Sequence, residues 1–395
     1  MSVKTLLTFN AGSSTVKIGL FALRAEGPVR IARGVIDFRH EPLTFRVTEG
    51  PEWPEIELGA KAGEDLTEIM SETFAGLARH FEIGRVAAIG HRVVHGGDRF
   101  DGPVHLDDGT IEAIEALTPL APLHQPQSLR LIRAIRNVGP DLPQAASFDT
   151  AFHRTNSTTV RRFAIPRELH DRGIKRYGFH GLSYKSIVGE LARRAPEAAR
   201  GKVVAAHLGS GASLCALDGG VSRDTSMGFS TLDGIPMATR CGALDPGVLL
   251  HLLGARGYGL AQVVDMLYHR SGLLGVSGIS ADSRELLRSA APEAREAIDL
   301  FTLRIAGEIA RLAATLGGLD ALVFTAGIGE NQPAIRADVC ARLTWLDLDL
   351  DPSANASNAP VISRPESRVA ALVIATDEEQ VIAEETYTVL GEVTR

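Results

Sequence analysis

The feature that most constrains this chain is a strand-turn-strand pattern that occurs twice, about half a chain apart. Leu6-Leu7-Thr8-Phe9 and Val16 to Phe21 flank the turn Asn10-Ala11-Gly12-Ser13-Ser14, and Val203-Val204-Ala205-Ala206 and Ser213 to Leu217 flank Leu208-Gly209-Ser210-Gly211-Ala212. Each reads as two strands joined by a Gly/Ser tip. Superposing the turns sets Asn10-x-Gly12-Ser13 over His207-x-Gly209-Ser210. A repeated sheet unit implies two lobes, each opening with its own hairpin, and 395 residues suit two domains.

Between the strands, helical spacing is expected over Ser128 to Val138, Tyr184 to Ala199 and Ala294 to Leu316, where Ile298, Phe301, Ile305, Ile309 and Leu312 recur on one stripe. Alternating strands and helices predict α/β lobes. A strand is expected at Ala321 to Thr325, followed by the turn Ala326-Gly327-Ile328-Gly329. A second is expected at Ala371 to Ala375, ending at Thr376-Asp377-Glu378-Glu379 before a C-terminal helix. Residues 153 to 159 and 351 to 366 read as loops, the first marking the lobe boundary.

Apolar residues at 45% and charged residues at 23% describe a soluble protein with a core in each lobe. A formal charge of -7 argues against nucleic acid or an anionic membrane as partner. A small anionic substrate must then be held by local cations. Cys215, Cys241 and Cys340 form no CxxC pair and fit a reducing, cytoplasmic compartment. No apolar run reaches the roughly 18 residues of a membrane span, and Asn10, Gly12, Ser13 and Lys17 interrupt the N-terminal stretch, so no signal peptide is expected.

Three glycine-rich turns at strand ends, at residues 10 to 14, 208 to 212 and 326 to 329, offer backbone N–H groups to phosphate oxygens, with Lys17 beside the first. No G-x-x-x-x-G-K-[ST] or G-x-G-x-x-G string accompanies them. Two such hairpins and a third turn resemble the duplicated lobes of sugar kinases, Hsp70 and actin, which bind ATP in an interlobe cleft. Gly90-His91-Arg92-Val93-Val94-His95-Gly96-Gly97 and Ala238-Thr239-Arg240-Cys241-Gly242 each set an arginine among apolar residues and glycines. A guanidinium there suits a bound carboxylate or phosphoryl group, or an internal salt bridge. His91 and His95 lack a third nearby metal ligand. His180, between Phe179 and Gly181, is a further candidate.

Five motifs occur in the order seen in acetate kinases: Asn10-Ala11-Gly12-Ser13-Ser14, His91 to Gly97, Phe148-Asp149-Thr150-Ala151-Phe152-His153, Gly178-Phe179-His180-Gly181, and Phe324-Thr325-Ala326-Gly327-Ile328-Gly329-Glu330-Asn331. The chain resembles that family from residue 4 to about residue 390. The resemblance implies a ribonuclease H-like, actin-like α/β fold with duplicated mixed sheets flanked by helices and an active site in the interlobe cleft. Residues 1–150 with 383–395 would form an acid-binding lobe, and 151–382 a nucleotide-binding lobe.

It implies that Asn10, Ser13 and Lys17 serve the first phosphate clasp and His207, Leu208, Gly209, Ser210 and Gly211 the second. Asp282, Ser283 and Arg284 would lie near the adenosine, and Gly327, Ile328, Gly329, Glu330 and Asn331 around its base and ribose. Arg92 would hold the substrate carboxylate, with Val94, Leu123 and Phe179 lining a small apolar pocket. Arg240 and His180 would stabilise the phosphoryl group in flight, His124 would assist, Asp149 would be the remaining catalytic carboxylate, and Glu378 with Asn10 would hold Mg2+ or Mn2+. A carboxylate acceptor is already ionised at neutral pH, which favours metal positioning or arginine orientation over general base for Asp149. Without the resemblance, Glu378 reads as an acid stabilising a helix N-terminus.

Three departures from the family pattern stand out: Ser210 and Gln125 where Asn is usual, and Thr231 where a proline often lines the acid pocket. The implied reaction joins acetate and ATP to give acetyl phosphate and ADP, reversibly, in a homodimer. Propionate kinase is the alternative within the class, and a non-catalytic ATP-binding switch of the Hsp70 or actin type the alternative outside it.

Overall fold

Leu6, Leu7 and Phe9 are fully buried, so the first strand is covered on both faces and sits inside a sheet. It is β1 (Thr5–Ala11), paired with β2 (Thr15–Arg24) in the expected hairpin. The computed structural model describes residues 4–12, 15–38, 42–50, 55–59, 66–80 and 86–394, and Ser13 lies outside them. The chain divides into two compact units, Met1–Phe152 with Asp377–Arg395, and His153–Thr376, against expected breaks after residues 150 and 382.

In the first unit β3 (Gly27–Asp37), β4 (Thr44–Glu49), β5 (Ile56–Glu57), β6 (Val86–Val93), β7 (Val104–His105) and β8 (Gln144–Phe148) complete a sheet of order β5-β4-β3-β2-β1-β6-β8-β7. Side chains alternate across it. Leu7, Phe9, Ile18 and Ile89 pack on one face with Ile69, Met70, Leu131 and Ile135 of the helices Leu66–His80 and Gln125–Val138. Leu6, Phe21, Ala88 and Ala145 meet Ala383 and Leu390 of the helix Glu378–Thr394 on the other. That helix rests on Gly90, where a Cβ would stand 2.3 Å from Thr386 Oγ1. Alternation also sorts the His91-Arg92 pair. His91 turns to the Phe9 face and stacks on that ring at 5.8 Å, while Arg92 turns to the face of Asn10.

The second unit repeats the plan. Its strands β9 (Lys202–Leu208), β10 (Ala212–Asp218), β11 (Val221–Thr225), β12 (Ala321–Thr325) and β13 (Ala370–Val373) take the order β11-β10-β9-β12-β13. The outer pairs β11–β10 and β10–β9 are antiparallel, and β9–β12 and β12–β13 parallel. The run β3-β2-β1-β6-β8 has the same order and the same directions. The expected repeat is therefore a repeat of topology, with β9 in the role of β1.

The helix Pro292–Leu316 buries Ile298, Phe301, Ile305, Ile309 and Leu312, as the spacing predicts, and stops where Gly317 takes φ 67°. Two local expectations are corrected. The single helix expected from Tyr184 to Ala199 is broken at Ala195, which Pro196 forces out of helical geometry, into Gly181–Arg194 and Pro196–Arg200. The turn expected at Ala326 to Gly329 is the start of a short helix, Ala326–Asn331.

Candidate active site

In the first unit the polar cluster grows from the end of β1. Asn10 is buried, and its Nδ2 donates to Glu378 Oε2 at 2.7 Å and to Glu379 Oε1 at 2.9 Å. Its Oδ1 accepts from Arg92 Nη1 at 3.2 Å. Arg92 Nε and Nη2 both donate to Asp149 Oδ2, at 3.1 and 2.6 Å, and Asp149 is fully buried at the end of β8. Burial opposes the Arg92 charge, but Asp149, Glu378 and Glu379 outweigh it and raise the guanidinium pKa. The helix Glu378–Thr394 thus delivers two carboxylates with its first turn. Arg33 Nε meets Glu379 Oε2 at 3.2 Å, and Arg30 and Arg33 share Asp377. Burial pushes the Asp377 carboxyl up, but the Arg30 hydrogen bond, both arginine charges and the Gln380 N–H bring it below its ordinary value.

Lys17 is the cross-strand partner of Asn10 and is exposed. His124 caps the helix Gln125–Val138 and is half-buried. Val94 is buried and Leu123 is 40% exposed. Gln125 is fully buried and clamps the loop after β6: Nε2 donates to His95 O at 2.9 Å and Ile114 O at 3.2 Å, and Oε1 accepts from His95 N. His91 and His95 are core residues, each pushed down to about 4, by burial against the Gln144 hydrogen bond for His91 and against the Asp98 charge for His95. Among the described residues no three His, Cys, Asp or Glu side chains are grouped to hold a metal.

In the second unit the cluster is built of rings and hydroxyls. His180 precedes the helix Gly181–Arg194 with φ 57°, a left-handed conformation that costs a non-glycine residue roughly 1–2 kcal/mol. Its ring stacks on His207 at 4.2 Å and 15°. His180 Nδ1 is 2.8 Å from Ser213 Oγ, which is 2.6 Å from Tyr184 Oη, and His207 Nδ1 is 2.8 Å from Ser183 Oγ. A Cβ on Gly211 would stand 2.8 Å from Arg240 Nη2 and 3.5 Å from His180 Nε2, and one on Gly209 3.9 Å from His207 Nε2. Three cationic or donor groups therefore face the glycine turn between β9 and β10. Arg240 Nη1 donates to Thr231 O at 2.9 Å, so that departure enters through its backbone carbonyl. Ser210 is exposed, and its carbonyl accepts from Ala238 N, tying the Arg240 loop to the same turn. Leu208 and Phe179 are buried, the latter with its carbonyl on His153 Nε2 at 3.0 Å.

The remaining nucleotide-side candidates sit elsewhere in this unit. Asp282 caps the helix Ser283–Arg288 and pairs with the exposed Arg284 at 2.6 Å. Gly327 is exposed and Ile328 half-buried, while Glu330 Oε1 accepts the N–H groups of Ala326 at 2.8 Å and Thr376 at 3.3 Å. Asn331 Nδ2 donates to Gly327 O. Arg336, which no motif flagged, is fully buried: Nη1 donates to Gly329 O, Nε to Asn355 Oδ1 and Nη2 to Asn355 O, each at 2.8 Å. Glu379 could have been found beside Glu378. Ser183 and Ser213 could not, because they lie 24 and 33 residues from the histidines they hold.

Two copies of one strand order, each carrying a polar cluster at the tip of its first hairpin, make an α/β protein of duplicated sheets, and its family match makes it a phosphotransferase of the kinase type. A sequence model described as the acetokinase family matches residues 5–384, and the chain belongs to that family. It is 47% identical over 384 residues to an acetate kinase of Rhodopseudomonas palustris, covering 96% of each chain. An acetate kinase of Rhizobium meliloti is 43% identical over 388 residues, with 98% of each chain covered. A solved propionate kinase from Francisella tularensis has a TM-score of 0.90 at 34% identity, covering 98% of this chain and 99% of that one. For the acetate kinase of Porphyromonas gingivalis the TM-score is 0.87 at 34% identity, with 98% and 100% covered.

Proposed function

We propose that the protein transfers the γ-phosphoryl group of ATP to acetate, reversibly, giving acetyl phosphate and ADP. The observation that carries this reading is the convergence of Arg240 Nη2, His180 Nε2 and His207 Nε2 on the Gly209–Gly211 turn. Phosphoryl transfer is chiefly alignment and charge neutralisation, and donors aimed at one small volume supply both. Arg240 and His180 act on the transferring group, with His124 assisting; His207 and the turn Leu208–Gly211, with Lys17, hold phosphates. Asp282, Ser283, Arg284 and the segment Gly327–Asn331 take the adenosine. In the first unit Arg92 takes the acid's carboxylate, and Val94 and Leu123 of the same unit its methyl group.

Asp149 orients Arg92, consistent with both of its hydrogen bonds from that guanidinium. Glu378 and Asn10 are oxygen donors of the kind Mg2+ takes, few in number and leaving room for phosphate ligands. They would hold the ion, which when bound neutralises charge on the nucleotide. The amide of Asn10 now turns its Nδ2 to the carboxylates, so offering Oδ1 requires it to flip. Cytoplasmic residence is supported by the three free cysteines. A homodimer is supported by the apolar residues Leu244, Val248, Leu250, Leu253, Leu260 and Val264, each at least 40% exposed on adjoining segments.

Propionate is the second reading, favoured by the likeness to the Francisella propionate kinase. One methylene in an apolar pocket is worth only about 1–3 kcal/mol. Trapping the acyl phosphate as a hydroxamate, with and without Mg2+, and comparing kcat/KM for acetate, propionate and butyrate tests the assignment. A clear preference for butyrate, or no hydroxamate from any acid, rejects it.

A further inference from the structure

Two hydroxyls with no assigned part in the reaction hold the stacked histidines crosswise. Ser183, on the helix that His180 caps, bonds the ring of His207 on β9. Ser213 is the cross-strand partner of His207 on β10, and it bonds the ring of His180. The His207 ring is thus pinned from the helix that His180 precedes, and the His180 ring from the strand paired with the one that carries His207. Ser213 and Tyr184 are both fully buried, and their oxygens are 2.6 Å apart.

We propose that Ser213 and Tyr184 are positioning residues that set the ring plane and the tautomer of His180. Ser213 has one hydroxyl proton. Tyr184 Oη–H donates to Ser213 Oγ, and Ser213 Oγ–H donates to His180 Nδ1. Nδ1 is then an acceptor, and in the neutral ring the proton resides on Nε2, the atom that faces the Gly211 turn. His180 can therefore donate a hydrogen bond to a phosphoryl oxygen without first becoming an imidazolium. The stack on His207 at 4.2 Å stops the ring from turning over. This inference rests on the reading that the Gly209–Gly211 turn receives phosphate.

The test uses the full chain with 15N-labelled histidine. The ring 15N shifts of His180 in the wild-type protein are expected to report the Nε2–H form, and Ser213→Ala to give a mixture of tautomers. In the same variant kcat should fall on the order of 10-fold with KM for ATP and acetate within about 2-fold, because alignment in the transition state is lost rather than binding. Ser213→Thr keeps the hydroxyl and should recover most of kcat. Tyr184→Phe should give a smaller loss, about 3-fold, and a weaker tautomer bias. An Nδ1–H form in the wild type overturns the proposal, as does an Ser213→Ala protein with unchanged shifts. If the wild type makes no acetyl phosphate, the functional reading falls while the tautomer measurement still decides this one.

Discussion

At equivalent points of the repeated sheet the two units place different chemistry. The end of β1 carries Asn10 among Glu378, Glu379 and Arg92, a cluster held by formal charge. The end of β9 carries His207 stacked on His180 and pinned by serines, a cluster held by ring contact and hydroxyls. The scaffold decides where a side chain stands, and the residue written there decides whether charge balance or orientation is what matters. Substitutions in the first cluster should therefore disturb binding and stability together, and those at His180 and Arg240 in the second should chiefly disturb turnover.

The sharpest break would come from the two arginines. Arg240→Ala is expected to lower kcat on the order of 1,000-fold with ATP affinity nearly intact, read from steady-state kinetics beside nucleotide titration. Near-normal turnover would remove Arg240 from the transition state. Arg92→Ala is expected to raise KM for the acid about 100-fold and also to cost about 3 kcal/mol of stability, because Asp149, with 1% of its side chain exposed, loses its cation. Urea unfolding of both variants checks the contrast: a stable Arg92 variant would dissolve it.

Acid should separate the units next. His91 and His95 in the first, and His153 in the second, are each pushed down to about 4, chiefly by burial. In the unfolded chain they titrate near the ordinary value of 6.5, so the unfolded state binds more protons below it. Their contribution is intact above about pH 6.5 and is lost as pH falls toward 4, at about 1 kcal/mol per group between about pH 6 and 5. With two such groups against one, hydrogen exchange should show the first unit opening more readily at pH 5, and equal loss would count against the buried neutral forms.

The smallest effect expected concerns the two turns. Gly211→Ala sets a methyl 2.8 Å from Arg240 Nη2 and should lower kcat about 10-fold, whereas Gly12→Ala, among the described residues, meets nothing nearer than Thr15 at 3.4 Å and should change activity less than about 2-fold. A reversed order would mean that the first turn approaches its ligand more closely than the second.

Much of this was readable from the chain because it depended on local pattern. Small residues between apolar strands marked both hairpins, and spacing marked the helix Pro292–Leu316 and its buried stripe. Alternation along β6 puts His91 and Arg92 on opposite faces, but which face is the core one is set by Phe9 and Asn10, which are distant in sequence. What stayed hidden was contact across long separations. Asn10 meets Glu378 over 368 positions, and no spacing rule announces that. The turn after β12 differs for another reason: Ala326, not a glycine, takes the left-handed φ of 64°, with Glu330 Oε1, four residues on, accepting its N–H, so a local side-chain hydrogen bond overrides the usual turn preference. Arg336 was invisible because its partners are carbonyl and amide oxygens rather than acids.

The helix Glu378–Thr394 belongs to the first unit yet is made after the whole of the second. Domains generally fold as they leave the ribosome, and here residues 153–376 emerge as one uninterrupted segment while the earlier-born sheet still lacks the cover for Leu6, Ala88 and Ala145. The order of maturation is thus inverted relative to the order of synthesis. A nascent chain halted before residue 377 would expose that bare sheet face and lack both acids that grip Asn10, so competence arrives only once the segment from Asp377 onward is made.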